Sequence, residues 1–72
     1  MAGNYEVLTV KEVCKILRVH PSTVYKLTRQ GRIPSFRVGT EWRFRADQIE
    51  RWMAEKSMYV YLARNVIELG VN

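Results

Sequence analysis

Apolar residues at helical spacing mark the first regular element of the chain. Thr9 followed by Glu12 has the pattern of a capping box, so a helix is predicted to begin directly after Thr9. The spacing i, i+3, i+4 and i+7 then places four apolar side chains on one face, which must lie against a core. These residues are Val10, Val13, Cys14 and Leu17. The preceding residues 1–7 are interpreted as a loose lead-in, with a brief strand near Tyr5 to Val7.

A second helix is predicted after a short turn made by Arg18, Val19 and His20. Pro21 suits the first position of a helix, and Gly31 suits the left-handed position that follows a last turn. The helix should therefore span residues 21–30, with His20 at or next to its N-cap. Its inner side is formed by Val24, Leu27 and Thr28, and its outer side by Ser22, Tyr25, Lys26 and Arg29.

Alternation with a period of two predicts a β-hairpin after Pro34, which prevents the helix from continuing. We call this hairpin, residues 35–45, the wing, and place its turn at residues 39–41. With that turn, Arg37 and Arg43 are expected on one outer face of the wing. The side chains expected to face the helices are Phe36, Val38, Trp42 and Phe44.

A third helix is predicted from Ala46 to Lys56, with Asp47 in the first turn, where the helix dipole favours an anion. An ion pair with an acid of this helix is the alternative to an outward role for Arg43 and Arg45. For Arg45, which lies beside Asp47, the ion pair is at least as strong a prediction. The apolar stripe of the helix, which closes the core, is Ile49, Trp52 and Met53.

The remaining segment, residues 57–72, has a helical stripe, although Tyr59 to Tyr61 would also suit a strand. We interpret it as a helix ending near Gly70. Its apolar content exceeds what a domain complete at Lys56 needs, so it is expected to dock on a second copy or on the domain's own open side. The stripe consists of Met58, Leu62, Val66 and Leu69.

Together these elements predict a mainly α domain with a small β-hairpin, a winged helix-turn-helix at residues 8–56. The chain of 72 residues is sufficient for one small core. Its start lacks the basic and apolar regions of a secretion signal, and no apolar run approaches the roughly 20 residues of a membrane span, so a cytoplasmic protein is expected. One cysteine, Cys14, and one histidine provide neither a disulfide framework nor a metal site, and we expect no metal or cofactor.

The positive charge is concentrated in one stretch of the chain. Residues 11–45 contain nine Lys or Arg against Glu12 and Glu41, which gives +7 where the whole chain has +5. No carboxylate lies between those two glutamates. Such a stretch indicates a polyanionic partner, although charge alone would fit an anionic membrane or RNA nearly as well.

The outer side of the second helix has the residue types that contact DNA. Arg29 can form a bidentate contact with guanine, Ser22 can donate or accept a hydrogen bond, and Tyr25 can form a hydrogen bond with a phosphate. A merely solvated face usually mixes acids with bases, and no acid occurs here. On the first helix the cations form a separate outer stripe, suited to phosphates or to plain solvation, of Lys11, Lys15 and Arg18.

Five motifs in order resemble the excisionase-type DNA-binding domains of the MerR-like winged-helix group. They are the opening LT, the turn before STVYKL, the QGRIP bridge, the RVG and WRF segments of the wing, and the closing DQIERW, from Leu8 to Trp52. Two departures are His20 with Pro21 in the N-cap region of the second helix, where a small hydroxyl residue is usual, and Glu41 at the wing tip. Glu41 would cap the turn or hold the tip off DNA.

The resemblance implies a small protein that contacts DNA through the second helix and the wing. It also implies a role in excisive recombination or transcription, with a recombinase, an integrase or RNA polymerase as protein partner, near the nucleoid. Carried over by position, the DNA contacts would be Ser22, Thr23, Tyr25, Lys26 and Arg29 in the helix, and Arg37, Thr40 and Arg43 in the wing.

The leading hypothesis is a sequence-specific double-stranded DNA-binding protein without catalytic residues, bound as a homodimer or cooperatively. The chain has no Ser-His-Asp set, no paired-carboxylate cleft and no phosphate-binding glycine loop. Two alternatives stay open: a DNA-recognition module that serves a recombinase or methyltransferase, and a protein-interaction module such as a toxin-neutralising partner.

Overall fold

The computed structural model describes residues 6–68 of the chain, with the side chains of residues 6–59 and 61–63. A short strand comes first, two short helices and a hairpin follow, and a long helix closes the domain. This is the predicted fold class, mainly helical with a small antiparallel sheet. In chain order the elements are β1 (Val7–Thr9), α1 (Val10–Leu17), α2 (Pro21–Arg29), β2 (Phe36–Val38), β3 (Glu41–Arg45) and α3 (Ala46–Glu68).

The predicted capping box at the start of α1 is confirmed. The Glu12 amide donates to the Thr9 hydroxyl at 3.1 Å, and the Thr9 amide donates to Oε1 of Glu12 at 2.8 Å. These two bonds satisfy amides that the first turn of a helix leaves without partners. The bond from the Thr9 backbone is the largest cause that lowers the pKa of the Glu12 carboxyl.

The turn between α1 and α2 is tight and contains one unusual backbone conformation. Arg18 ends α1 at φ 57 and ψ 48, in the left-handed region, and the amides of Arg18 and Val19 both donate to the Cys14 carbonyl. His20 is the N-cap of α2, since its Nδ1 accepts from the Ser22 amide at 3.1 Å. These bonds cap the end of α1 and the start of α2.

The end of α2 also follows the sequence pattern. Gln30 is the C-cap, and Gly31 has a φ of 65. The Arg32 amide then donates back to the Leu27 carbonyl at 2.9 Å, which closes the last turn. Residues 32–35 lead from there into the wing.

The sheet has three strands in the order β1, β3, β2, all antiparallel. The predicted strand near Tyr5 to Val7 lies later in the chain, at Val7–Thr9, and residues 1–5 are outside the described part. In β1, Leu8 lies opposite Phe44 of β3, and both side chains are buried. The strand before α1 thus pairs with β3 of the wing and makes a three-stranded sheet, which a hairpin alone would lack.

The predicted distribution of side chains on the two faces of the wing is wrong. Phe36 lies opposite Arg43, and Arg37 lies opposite Trp42, and directly opposed residues project to the same face. Phe36 is therefore 37% exposed and Val38 is 58% exposed, whereas inward positions were expected for both.

The physical cause is the length of the turn. Val38 pairs with Glu41, so only residues 39 and 40 form the loop. The predicted turn at 39–41 is one residue longer and would place Val38 opposite Trp42. A register change of one residue exchanges the two faces of a strand. The side chains of β2 therefore project to the faces opposite to those predicted, whereas Phe44 of β3 faces the core as predicted.

A single apolar cluster joins all three helices to the sheet. The Trp52 indole is partly buried against it and donates to the Arg32 carbonyl at 2.9 Å, which ties α3 to the segment after α2. Trp42 also packs against the cluster, so both tryptophans have the packing role that was predicted. The buried members are Leu8, Val13, Cys14, Val24, Ile33, Phe44 and Ile49.

The third helix and the following segment form one continuous helix, Ala46–Glu68. Tyr59 to Tyr61 are helical, so the alternative of a strand there is wrong, and the expected end near Gly70 is outside the described residues. Met58 and Leu62 are more than half exposed and do not dock on the domain's own surface. Among residues 6–68, no helix has both the length and the apolarity of a membrane-spanning segment.

Candidate nucleic-acid interface

The outer side of α2 is exposed, as the helical spacing predicts. Val24 is fully buried and Thr28 nearly so, and these two side chains fix which side of the helix faces the core. In the described part of the chain, neither Lys26 nor Arg29 forms an ion pair. The exposed residues of this side are Ser22, Thr23, Tyr25, Lys26 and Arg29.

His20 interacts with the first residues of this face. Its Nδ1 lies 2.9 Å from the Ser22 hydroxyl, in addition to the bond from the Ser22 amide. The imidazole therefore fills the capping position that a small hydroxyl or carboxamide side chain usually occupies. Ser22 remains exposed, but any DNA contact by its hydroxyl would share that group with His20.

The wing tip lies beside α2, and the two enclose a cleft of about 340 Å³. Of the residues proposed to contact DNA, this cleft brings together Tyr25 from α2 and Thr40 and Arg43 from the wing. Lys11, Lys15 and Arg18 do not line it, although all three are exposed on α1 and the adjoining turn. The complete lining is Val10, Tyr25, Thr40, Glu41, Trp42 and Arg43.

Arg43 is held in the cleft by two hydrogen bonds. Its Nη1 donates to the Trp42 carbonyl at 2.8 Å, and its Nη2 donates to Oε1 of Glu41 at 2.7 Å. The expected alternative, an ion pair with an acid of α3, is wrong for Arg43, because its ion-pair partner belongs to the same strand. Glu41 is thus part of the site itself, whereas the sequence suggested only a turn cap or a spacer.

Arg37 lies on the opposite face of the wing from Arg43. Its guanidinium carbon is 4.8 Å from the centre of the Trp42 ring, a cation–π arrangement, and its Nη2 approaches the Thr40 carbonyl at 3.5 Å. The side chain is exposed. The wing therefore presents Arg37 on one face and Arg43, with Arg45, on the other, and the expectation that Arg37 and Arg43 share one face is wrong.

Arg45 forms the ion pair that was predicted as its alternative role. Its Nε and Nη2 donate to the two carboxylate oxygens of Asp47 at 3.1 and 2.7 Å. The hydrogen bond from Arg45 is the largest cause that lowers the pKa of the Asp47 carboxyl. Arg45 therefore links β3 to the first turn of α3, away from the cleft.

Comparison with known proteins adds three findings. The model of a family described as a helix-turn-helix domain matches residues 7–57, more than half of the chain. Two proteins from two strains of Mycobacterium tuberculosis, each named a "Putative DNA-binding protein", are 41% identical over 44 residues. The aligned region is 61% of this chain and 56% of each relative, so the match spans little more than half of those proteins. No solved structure matches the chain significantly.

Proposed function

The chain belongs to the helix-turn-helix domain family, and from this premise we propose that it is a sequence-specific double-stranded DNA-binding protein without enzymatic activity. The observation that carries the proposal is the exposed, acid-free side of α2, which continues at Tyr25 into the cleft with Thr40 and Arg43. A helix that enters the major groove and a wing beside it can grip one duplex together.

In this proposal α2 contacts base edges. A major groove about 12 Å wide admits one helix, and the outer side of α2 is the side that would face the bases. Lys26 and Arg29 would contact bases, and Tyr25 and Thr23 would bond phosphates. A good bidentate contact contributes on the order of 1–3 kcal/mol of discrimination between bases.

The wing would lie along the neighbouring groove or backbone. Because Arg37 and Arg43 lie on opposite faces, a wing placed in a minor groove would direct Arg37 towards one wall and Arg43 towards the other. Thr40, at the tip, would face the floor of the groove. On α1 and the turn, Lys11, Lys15 and Arg18 would neutralise phosphates, which positions the protein without reading sequence.

The finer role follows from the resemblance to excisionase-type domains. We propose a small accessory factor that shapes DNA for excisive recombination, or a small regulator of transcription. The corresponding protein partner is a recombinase or integrase in the first role and RNA polymerase in the second. The two roles differ in the bend that they require, because an architectural factor must deform its site strongly.

The proposal is tested by selecting bound sequences from random duplexes at a stated salt concentration. A defined site should emerge, and affinity for it should fall linearly with the logarithm of salt concentration. The matched control is a Lys26→Ala, Arg29→Ala variant with an unchanged circular dichroism spectrum, which should select no site. A protein that enriches no sequence, and whose interactions survive high salt without DNA, would favour the protein-interaction module instead. Measuring the bend of the selected duplex then separates the two roles.

A further inference from the structure

We propose that Glu41 determines sequence discrimination in the cleft by positioning Arg43 and by opposing contacts with phosphates. The inference rests on the proposed function and assigns a role to Glu41, the one carboxylate among the described residues that line the cleft. Together the two side chains would recognise a base-pair edge that presents an amino group beside an acceptor. Arg43 donates to the acceptor and Glu41 accepts from the amino group.

The first step of the argument is the geometry of Arg43. Its guanidinium is fixed at two points, by the Trp42 carbonyl and by Glu41, and the side chain is only 28% exposed. Two of the five N–H donors of the group are thus used, and the others remain for a ligand. A guanidinium that is oriented before binding loses less conformational entropy when it contacts DNA.

The second step is the position of Glu41. Its side chain is 66% exposed, and Arg43 bonds only Oε1. Within the described residues no hydrogen bond reaches Oε2, so that oxygen can accept from a donor on DNA. The amino group of cytosine in the major groove, or of guanine in the minor groove, is such a donor.

The third step is the charge. Glu41 is the only acid between Glu12 and Asp47, and it stands at the tip of a wing that would otherwise attract any phosphate. Glu12 also attracts Arg43, since Arg43 contributes to the lowered pKa of Glu12, but the ion pair of Arg43 is with Glu41. On random DNA the carboxylate would repel the backbone, and on the right base pair the amino hydrogen bond offsets that cost.

The test compares Glu41→Gln with the wild-type protein on the selected duplex and on random DNA. Glu41→Gln should raise affinity for random DNA by about two- to five-fold, because one exposed repulsive charge is removed. It should lower the ratio of specific to random affinity by about five-fold or more. Glu50→Gln, an exposed change of the same charge on α3, is the matched control and should leave the ratio unchanged.

A second comparison shows whether Glu41 acts through Arg43. In an Arg43→Gln background, the Glu41→Gln change should alter the ratio less than it does in the wild-type protein, because Glu41 no longer positions Arg43, and the double-mutant cycle measures the coupling. An unchanged ratio in Glu41→Gln, or an equal effect with and without Arg43, would overturn the inference while the proposed function stands. A wild-type protein that binds no duplex would overturn both.

Discussion

Among the residues that the structure describes, Arg18 is the one non-glycine residue with a positive φ. Its left-handed φ of 57 is comfortable for glycine but costs a residue with a Cβ about 1–2 kcal/mol. The residue in this conformation presents a guanidinium at the turn between α1 and α2, where a phosphate contact is proposed. Function thus offers a reason for an arginine where stability alone would favour glycine.

Arg18→Gly should stabilise the protein and weaken its binding to DNA. The free energy of unfolding should rise by about 0.5–1 kcal/mol, since the relieved strain exceeds the entropy that glycine adds to the unfolded chain. Affinity should fall alike for all sequences, and the salt slope should decrease by about one. Urea unfolding and salt titrations measure both. Arg18→Lys, which keeps both the positive charge and the left-handed backbone strain, is the control. A lower free energy of unfolding in Arg18→Gly than in the wild-type protein would contradict the account.

The pKa shifts of Glu12 and Asp47 predict how stability depends on pH. Both pKa values are lowered in the folded state, chiefly by the Thr9 backbone for Glu12 and by Arg45 for Asp47. The unfolded chain therefore takes up protons first as pH falls. The stability that these carboxylates contribute is present above their unfolded pKa values and is lost in acid, as pH falls through the folded values.

Glu12→Gln isolates the contribution of the capping box. Glutamine can also bond the N-cap amide, so the helix start is retained while its titration is removed. Urea unfolding across a series of acidic pH values should show a smaller loss of stability in Glu12→Gln than in wild type, and a smaller loss still with Asp47→Asn added. Equal acid sensitivity in all three proteins would contradict this assignment.

At the scale of elements, local signals in the sequence were sufficient for α1 and α2, whereas α3 continues past its predicted end at Lys56 to Glu68. Thr9 with Glu12, Pro21, and Gly31 act within one turn of their own positions, and each marks a helix boundary as the structure has it. The strands depend on distant partners, and β1 exists because Leu8 pairs with Phe44, far along the chain. The local pattern of apolar residues near residue 8 contains no information about that pairing.

In the candidate site, too, the features set by local sequence were predicted and those set by strand pairing were not. The exposed side of α2 follows from helical spacing alone, so Tyr25, Lys26 and Arg29 were predicted on one surface. The partition of Arg37 and Arg43 to opposite faces depends on a turn of two residues rather than three, which composition leaves ambiguous. The Glu41 to Arg43 ion pair could have been suspected, because residues two apart on a strand share a face.

The different roles of α1 and α2 predict two kinds of mutant. Arg29→Ala should relax specificity, with a loss on the order of 1–3 kcal/mol on the selected site and little change on random DNA. Lys15→Ala should weaken binding to all sequences alike and reduce the salt slope by about one. Fluorescence anisotropy on both duplexes distinguishes them. Equal effects of the two substitutions on selected and random DNA would refute this division.

At the scale of the whole molecule, the second half of α3 has an exposed apolar surface. Met58, Tyr61 and Leu62 are more than half exposed, and the residues that pack in or against the core end at Met53. The family match also ends near this point, at residue 57. We propose that a second copy covers this surface, since burial of apolar area stabilises association.

Sedimentation equilibrium on the full chain and on a truncation after Lys56 tests that proposal. The full chain should form a dimer and the truncated chain a monomer, with the core of the latter intact by near-ultraviolet circular dichroism. Met58→Glu, Leu62→Glu is the matched variant that keeps the chain length and should also be monomeric. A monomer in all three cases would reject the dimer and leave the DNA-binding proposal untouched.

The central claim is that the exposed side of α2 and the wing tip act on a duplex as one surface. Nuclear magnetic resonance on ¹⁵N-labelled protein titrated with the selected duplex measures this directly. Amide shifts should change together in two groups, at Ser22, Tyr25, Lys26 and Arg29 and at Thr40, Glu41 and Arg43, with little change at Met58 to Leu62. Amide shift changes confined to α3, or changes in one of the two groups without changes in the other, would contradict the claim.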